Sequence, residues 1–191
     1  MRRGTLIRCA NALVALIALA AVSAGAQIPA PIAAKGTVQA AFAPWDDAQG
    51  MILAAIRRAR RQILVQAYSF TSRNLANALV AAHRRGIEVR VIADSEQTRS
   101  GEASRIAELA AAGIPVLLDA AFQSAHSKIM LIDAQAEHPA VITGSYNWTY
   151  AAQYRNAENV LVLRDNPELA RAYLANWQHH AANSSVYATR P

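Results

Sequence analysis

The sequence predicts an α/β domain in which helices are layered on both faces of a mixed β-sheet, an α/β/α sandwich. Short apolar runs rich in β-branched residues alternate along the chain with segments whose apolar residues recur every three or four positions. The first pattern is typical of strands and the second of helices. Their alternation favours a layered α/β domain, and two strands on either side of residue 135 add a hairpin. We predict that this single domain spans residues 37–182.

The first 26 residues differ from the rest and are predicted to be a secretory signal peptide. Three arginines within the first eight residues precede an apolar run at 10–22, and Ala24-Gly25-Ala26 follows it. This order is that of a cleavable export signal. The alternative, an uncleaved anchor helix, is disfavoured because the run is short. We expect a bacterial protein, periplasmic or secreted, with no stable membrane association after cleavage near Ala26.

Charge and cysteine content restrict the classes of function. The formal net charge is +6, and removing the predicted signal peptide with its three arginines leaves +3. This mild excess permits an anionic partner. The single cysteine, Cys9, lies in the signal peptide. Thiol catalysis, cysteine zinc sites and disulfides are therefore excluded from the predicted mature chain.

The first elements follow a predicted linker rich in Pro and Ala, residues 27–36. Weak alternation at 37–42 predicts a strand, which Pro44 ends. Asp46 then begins a helix with helically spaced apolar residues. Four arginines between positions 57 and 61 crowd its C-terminal end, where the helix dipole favours cations. Such a run is more typical of a solvated face than of a binding patch.

Two further strand and helix pairs are predicted next. The apolar run 62–70 indicates a buried strand. Ser72 is placed to cap the following helix, and Gly86 to end it. Residues 87–93 alternate as another strand, and residues 100–112 have helical spacing.

The second half is predicted to contain four strands and one long helix. The strands are residues 116–118, 126–132, 140–143 and 159–163. Asn166 followed by Pro167 is a strong helix start. The inward stripe of that helix is predicted to be Leu169, Tyr173 and Trp177. The end of the chain, residues 183–191, is predicted to be a loose tail.

Two polar segments of this half carry residues suited to chemistry on a phosphate. In a strand over 126–132, His126 and Lys128 share one face, whereas Asp133 falls on the other. The turn after the next strand presents Ser145 and Asn147 as hydrogen-bond donors. A nucleophile, a fixed cation and neutral donors are what phosphodiester cleavage requires.

These segments together read H-x-K-x4-D followed by G-S-x-N, which resembles the signature of the phospholipase D superfamily. The resemblance covers roughly residues 38–177 and implies the phospholipase D-like fold. Within the superfamily, the sequence resembles in particular the small exported bacterial endonucleases. The other matching segments are Tyr68-Ser69-Phe70-Thr71, the helix ending at Gly86, Gly113-Ile114-Pro115 and Glu158-Asn159.

The catalytic roles of these residues are predicted from the chemistry of their side chains, in addition to the resemblance. His126 is suited to attack phosphorus and to form a phosphohistidine intermediate. Lys128 supplies a positive charge for the phosphate oxygens, and Asn147 donates its amide to them. Ser145 can add a hydroxyl, although Gly-Ser is also ordinary turn chemistry. Glu158 is the candidate to accept the second ring N–H of His126 and to set its tautomer.

Two residues of the signature are predicted to be structural. Asp133 should fix the loop or bind backbone groups, and Gly144 should form the turn. Ten residues, 134–143, separate them, where the family pattern usually has about six. This longer hairpin contains His138, which we expect to be exposed and inert.

The chain contains one copy of the motif, whereas the family pairs two motifs. The resemblance therefore implies a C2 homodimer with one shared active site. We expect a metal-independent, largely nonspecific endonuclease that cuts DNA and uses no cofactor. RNA is expected as a further substrate. No metal is expected because the motif has a lysine and the chain lacks H-E-x-x-H. The alternatives are a phospholipase of the same chemistry and an inactive nucleic-acid-binding module.

Overall fold

The computed structural model describes residues 28–101 and 103–188, so the predicted signal peptide lies outside the described residues. From Ile32 onward the chain forms one compact unit. Its strands are β1 (Thr37–Ala43), β2 (Gln62–Ala67), β3 (Glu88–Asp94), β4 (Val116–Asp119), β5 (Lys128–Ile132), β6 (Ala140–Gly144), β7 (Glu158–Arg164) and β8 (Ser185–Val186). Its helices are α1 (Ala48–Arg58), α2 (Arg73–Arg84), α3 (Ser95–Ser100), α4 (Ile106–Ala111), α5 (Tyr150–Tyr154) and α6 (Pro167–Ala182).

The strands form one mixed sheet with the order β1-β7-β6-β5-β2-β3-β4-β8. Strands β2, β3 and β4 are parallel, and every other pairing is antiparallel. The predicted hairpin of β5 and β6 is confirmed, with Ile132 opposite Ala140. The sheet therefore has a parallel part, β2-β3-β4, whose strands are joined by helices, and an antiparallel part in which β5 and β6 form a hairpin and the short helix α5 joins β6 to β7.

Alternate residues of each central strand enter two separate apolar cores. On β2, Ile63 and Val65 pack with α1, α2 and α4, whereas Leu64 packs on the other face with α6. Trp177 of α6 is buried there and donates its indole N–H to the carbonyl of Val65 at 3.1 Å. Both faces are thus covered, and the predicted α/β/α sandwich is confirmed.

The predicted helix caps are also confirmed. The Ser72 side chain accepts a hydrogen bond from Leu75 N at the start of α2. Asn166 accepts one from Leu169 N at the start of α6, where Pro167 is the first helical residue. Both caps satisfy backbone N–H groups that a helix leaves without partners at its start.

Several element boundaries differ from prediction. The helix expected over 100–112 is shorter, α4 at Ile106–Ala111. The helix α3 before it was not predicted; the Asp94 carboxylate caps it at Gln97 N, and the chain leaves the helix at Gly101. The helix α5 was not predicted; Thr149 caps it by accepting from Ala152 N. Neither short helix is long enough to show a clear period of 3.6.

Three further predictions were wrong by small shifts. The buried stripe of α6 is Ala170, Leu174 and Trp177, with Leu169 and Tyr173 only partly buried beside it. The tail is not entirely loose, since β8 pairs with the edge of β4. Strand β5 begins at Lys128, so His126 lies in the loop before it and not in the strand.

Candidate active site

Four of the predicted site residues lie at one edge of the sheet: His126, Lys128, Asn147 and Glu158. Lys128 begins β5, and its backbone pairs with Ala67 at the end of β2. Glu158 begins β7, and the turn that carries Asn147 follows β6. Because β5 runs antiparallel to β6, and β6 to β7, the start of β5, the end of β6 and the start of β7 lie at the same edge.

His126 and Lys128 are in direct contact, although not by strand alternation. The Lys128 ammonium lies 2.8 Å from Nδ1 of His126 and donates to the His126 carbonyl at 2.5 Å. Lys128 is buried, whereas His126 is exposed. A charged ammonium can only donate, so Nδ1 accepts and the ring proton lies on Nε2.

Tyr68 completes this contact and had no role in the sequence prediction. Its ring centroid lies 4.3 Å from that of His126, and the Lys128 ammonium lies over the same ring at 4.7 Å. Tyr68 directly follows β2, the neighbour of β5. An aromatic residue at the end of a buried strand is a weak signal, since most such residues belong to the core.

Burial lowers the pKa of Lys128 from 10.5 to about 8, and the negative charge of Glu158 partly opposes this shift. Removal from water disfavours the ammonium form, and a nearby carboxylate favours it. Lys128 therefore loses its positive charge as the pH rises through about 8, and the ammonium form predominates at pH 7.

The loop that carries His126 is held by two buried carboxylates. Asp94 accepts a hydrogen bond from Ala125 N at 2.8 Å, one residue before His126. Asp119 accepts from Ala121 N at 3.0 Å and lies 2.6 Å from Nδ1 of His180 on α6. The contacts of Asp94 with Ala125 and of Asp119 with His180 were missed in sequence because they join elements distant along the chain.

Glu158 has different partners from those expected. Its carboxylate accepts from Ser145 Oγ at 2.5 Å and from Asn156 Nδ2 at 3.0 Å, and not from His126. The expected hydrogen bond between Glu158 and His126 is therefore wrong for this structure, because Lys128 occupies Nδ1. The charge of Glu158 nevertheless acts on Lys128.

Ser145 is a structural centre of the turn as well as a candidate donor. Its hydroxyl accepts from Asn159 N at 3.0 Å and from Asn159 Nδ2 at 3.3 Å while it donates to Glu158. The hydroxyl is thus engaged within the chain and ties the end of β6 to the start of β7. Its predicted contact with substrate remains a prediction.

Asn147 is held between two buried aromatic residues, Tyr146 and Trp148. The Trp148 indole donates to the carbonyl of Gln66 at 2.9 Å, and the Trp148 carbonyl accepts from Thr71 N and Ser72 N. The Asn147 side-chain oxygen is buried and has no partner among the described residues. A buried amide oxygen without a partner costs free energy. It is an acceptor and cannot bind phosphate oxygens, so the predicted contact with substrate belongs to the Asn147 amide N–H group.

The structural roles of Asp133 and Gly144 agree with prediction. The Asp133 carboxylate accepts from the backbone N–H groups of Arg60, Arg61 and Gln62 at 2.7–2.9 Å. Gly144 has φ +154°, and a Cβ there would lie 2.3 Å from the Asn159 carbonyl oxygen. Asp133 lies at the far end of β5 from His126, so it takes no part in the site.

Over residues 28–101 and 103–188 the structure has no group of three or more side chains placed to hold a metal ion. Within the same ranges, none of the helices has the length and apolar character to cross a membrane.

A family model described as "Cardiolipin synthase, PLD-like domain" matches residues 52–181. The chain is 34% identical over 157 residues to a protein named Phospholipase D from Rickettsia typhi, covering 82% of this chain and 74% of that one. It is also 34% identical over 128 residues to the mitochondrial cardiolipin hydrolase of Xenopus tropicalis, covering 67% of this chain and 58% of that one.

Two solved structures share the fold closely. A phospholipase D family member, Nuc from Salmonella typhimurium, superposes with a TM-score of 0.75 at 35% identity, covering 80% of this chain and 99% of that one. NucT from Helicobacter pylori superposes with a TM-score of 0.71 at 25% identity, covering 79% and 99%. The fold and the edge that carries His126 and Lys128 thus define a phosphodiesterase-type hydrolase. The chain belongs to the phospholipase D superfamily.

Proposed function

We propose that the protein is a metal-independent endonuclease that hydrolyses phosphodiester bonds of DNA, and of RNA, with little sequence preference. The observation that carries the proposal is the contact between His126 and Lys128 at the edge where Asn147 and Glu158 also lie. The near full-length similarity to Nuc and NucT supports it. The formal net charge of +3 that remains without the predicted signal peptide suits a phosphate backbone, which is recognised without base contacts.

The first chemical step is attack of His126 on phosphorus. A bound phosphate draws the Lys128 ammonium towards its oxygens and away from Nδ1. Nδ1 then takes up a proton from water and Nε2 gives its own proton to water, so that Nε2 is left with its lone pair. Attack by Nε2 forms the N–P bond as the bond from phosphorus to the leaving oxygen breaks. Lys128 and the Asn147 amide stabilise the charge that develops on the other oxygens.

The second half of the reaction requires a second acid. One histidine attacks from one side of phosphorus, and the leaving oxygen on the other side needs a proton. In a C2 homodimer the second His126 supplies this proton and then takes one from the water that hydrolyses the phosphohistidine. Once its Lys128 has turned to the phosphate, Nδ1 of the second His126 takes up a proton from water, so that loss of the Nε2 proton to the leaving oxygen leaves a neutral ring.

A second candidate is a phospholipase that uses the same residues. The names of the Rickettsia and Xenopus relatives favour it. Exposed Phe42 and Trp45 at the end of β1, close to Glu158, offer an apolar contact for a lipid surface. An inactive binding module is the weakest alternative, because His126, Lys128 and Asn147 are all present.

Nicking of supercoiled plasmid in excess EDTA tests the proposal. The wild-type protein should nick and His126→Ala should lose at least about a thousandfold in rate. Equal nicking by both proteins would overturn the role of His126. Phosphatidate release from phospholipid vesicles without nicking would favour the lipid substrate. Light scattering tests the shared site, since an active monomer contradicts it.

Export is proposed separately. Residues 1–26 have the order of a cleavable signal, and the mature N-terminus should then follow Ala26. Mass spectrometry of protein recovered from a bacterial periplasm should show this N-terminus. Retention of the full-length chain in the cytoplasm would contradict the proposal.

A further inference from the structure

A cavity of about 800 Å³ lies at the edge of the sheet opposite the candidate active site. Its walls come from the end of α1, the connection to β2, the loop between β5 and β6, and the end of β7. Strand β5 joins the two edges, with His126 just before its start and Asp133 just after its end. Five strand residues span about 17 Å, so the cavity is separate from the site of hydrolysis.

Four arginines line this cavity, which we call the arginine cleft: Arg58, Arg60, Arg61 and Arg164. Among the described residues, none of the four forms an ion pair with a carboxylate; the ion pairs involve Arg105, His138 and His180. Four guanidinium groups around one concave space repel each other when nothing neutralises them. Arginine is also the residue best shaped to bind phosphate through two parallel hydrogen bonds.

Three acidic residues line the same cavity, and each is engaged elsewhere or points to solvent. The Asp133 carboxylate accepts from three backbone N–H groups. Asp165 lies 3.1 Å from Nδ1 of His138, and the side chain of Glu137 is 90% exposed. None of these acids pairs directly with a guanidinium group, and four arginines against three acids leave the lining with a net charge of +1.

Arg164 is the most restrained of the four arginines. It is partly buried, and its Nη1 donates to Gln39 Oε1 on β1 at 3.2 Å. Burial and the neighbouring charge of Arg58 both lower its pKa, and Asp165 partly opposes them. An anion between Arg58 and Arg164 would remove this repulsion without rearranging the strands.

The connection between β5 and β6, residues 133–139, forms much of the cleft wall. Pro139 is buried, and its carbonyl accepts from Asp165 N at 2.9 Å, while Ala136 N donates to the Asp133 carbonyl at 2.8 Å. Both ends of the connection are thus tied to the sheet. The connection thus forms a cavity wall beside the arginines, at the edge of the sheet away from His126 and Lys128.

We propose that the arginine cleft is a second binding site, specific for a small phosphorylated anion such as a phosphate monoester or a diphosphate. Arg58, Arg61 and Arg164 bind the phosphate oxygens, and Arg60 adds positive charge at the rim. The volume is that of a small-molecule site, and the lining has no aromatic side chain other than His138 on which a base could stack. The ligand is therefore recognised by its phosphate.

Calorimetric titration with inorganic pyrophosphate tests the site. The full chain with Lys128→Gln is used, so that the catalytic edge does not compete for the probe. Adding Arg58→Gln and Arg164→Gln should raise the Kd by at least about tenfold. The matched control adds Arg84→Gln and Arg171→Gln, two exposed arginines outside the cleft, and should change the Kd less than about twofold. Thermal unfolding checks that both variants fold.

Three results would overturn the proposal. The first is the absence of pyrophosphate binding by the Lys128→Gln chain. The second is an equal loss in the cleft variant and the control, which would indicate only general charge. The third comes from a parallel titration with a single-stranded oligonucleotide: if the oligonucleotide alone depends on Arg58 and Arg164, the cleft is a nucleic-acid surface and not a small-anion site.

Discussion

The Lys128 ammonium hydrogen-bonds both the ring and the backbone carbonyl of His126. The two residues of the H-x-K pair are therefore coupled directly, and the cation that would bind phosphate also determines which ring nitrogen of His126 carries the proton. In the proposed mechanism, substrate binding and activation of the nucleophile are therefore one event, in which the ammonium exchanges Nδ1 for phosphate oxygens.

The rate of hydrolysis should fall as the pH rises through about 8, measured as kcat/KM. The pKa of Lys128 is about 8, and above it the amine is neutral and no longer attracts phosphate. In Glu158→Gln the midpoint should move to lower pH, because the carboxylate that raises this pKa is gone. An unchanged midpoint in that variant would contradict the assignment. Lys128→Arg, which stays charged, should show no such fall in its residual activity.

Removal of the Tyr68 ring should slow hydrolysis. Tyr68→Leu loses the contacts to His126 and Lys128 and should reduce kcat/KM by about tenfold, the size of a partly desolvated cation–π contact. Tyr68→Phe keeps the ring and should stay within about threefold of the wild type. Equal losses in the two variants would assign the effect to the hydroxyl instead of the ring.

Asp133→Asn should destabilise the protein without affecting the chemistry. The carboxylate accepts three backbone hydrogen bonds, and an amide would turn a donor towards those N–H groups. We expect the free energy of unfolding to fall by about 2 kcal/mol. Glu137→Gln, at an exposed position nearby, is the control and should change it little. A tenfold loss of kcat in folded Asp133→Asn would place Asp133 in the reaction after all.

Gly144→Ala should be far more harmful than Gly86→Ala, as measured by denaturant unfolding. Both glycines have positive φ, but only at Gly144 would a Cβ meet backbone, the carbonyl oxygen of Asn159. Gly86→Ala should cost about 1 kcal/mol from its conformation alone. Gly144→Ala should cost at least about 3 kcal/mol. Similar costs at the two positions would show that the turn relaxes.

Local features of the fold were predictable because they depend on neighbours in sequence. Strand alternation, the caps at Ser72 and Asn166, and the hairpin of β5 and β6 each follow from a few adjacent residues. The structural role of Asp133 was predicted from strand parity, but the structure excludes it from the site for another reason, because it lies at the far end of β5 from His126. Helices as short as α3 and α5 escaped prediction because five or six residues carry too little periodicity.

The partners of each site residue were decided by the tertiary structure. The sequence by itself determined the residue types of the site, their order and the sheet edge they share. It did not determine that Glu158 binds Ser145, that Tyr68 contacts His126, or that Arg58 and Arg164 face one cavity. The physical reason is that these contacts join side chains from strands and helices distant along the chain. Their geometry exists only once the sheet has formed and the helices and loops have packed against it.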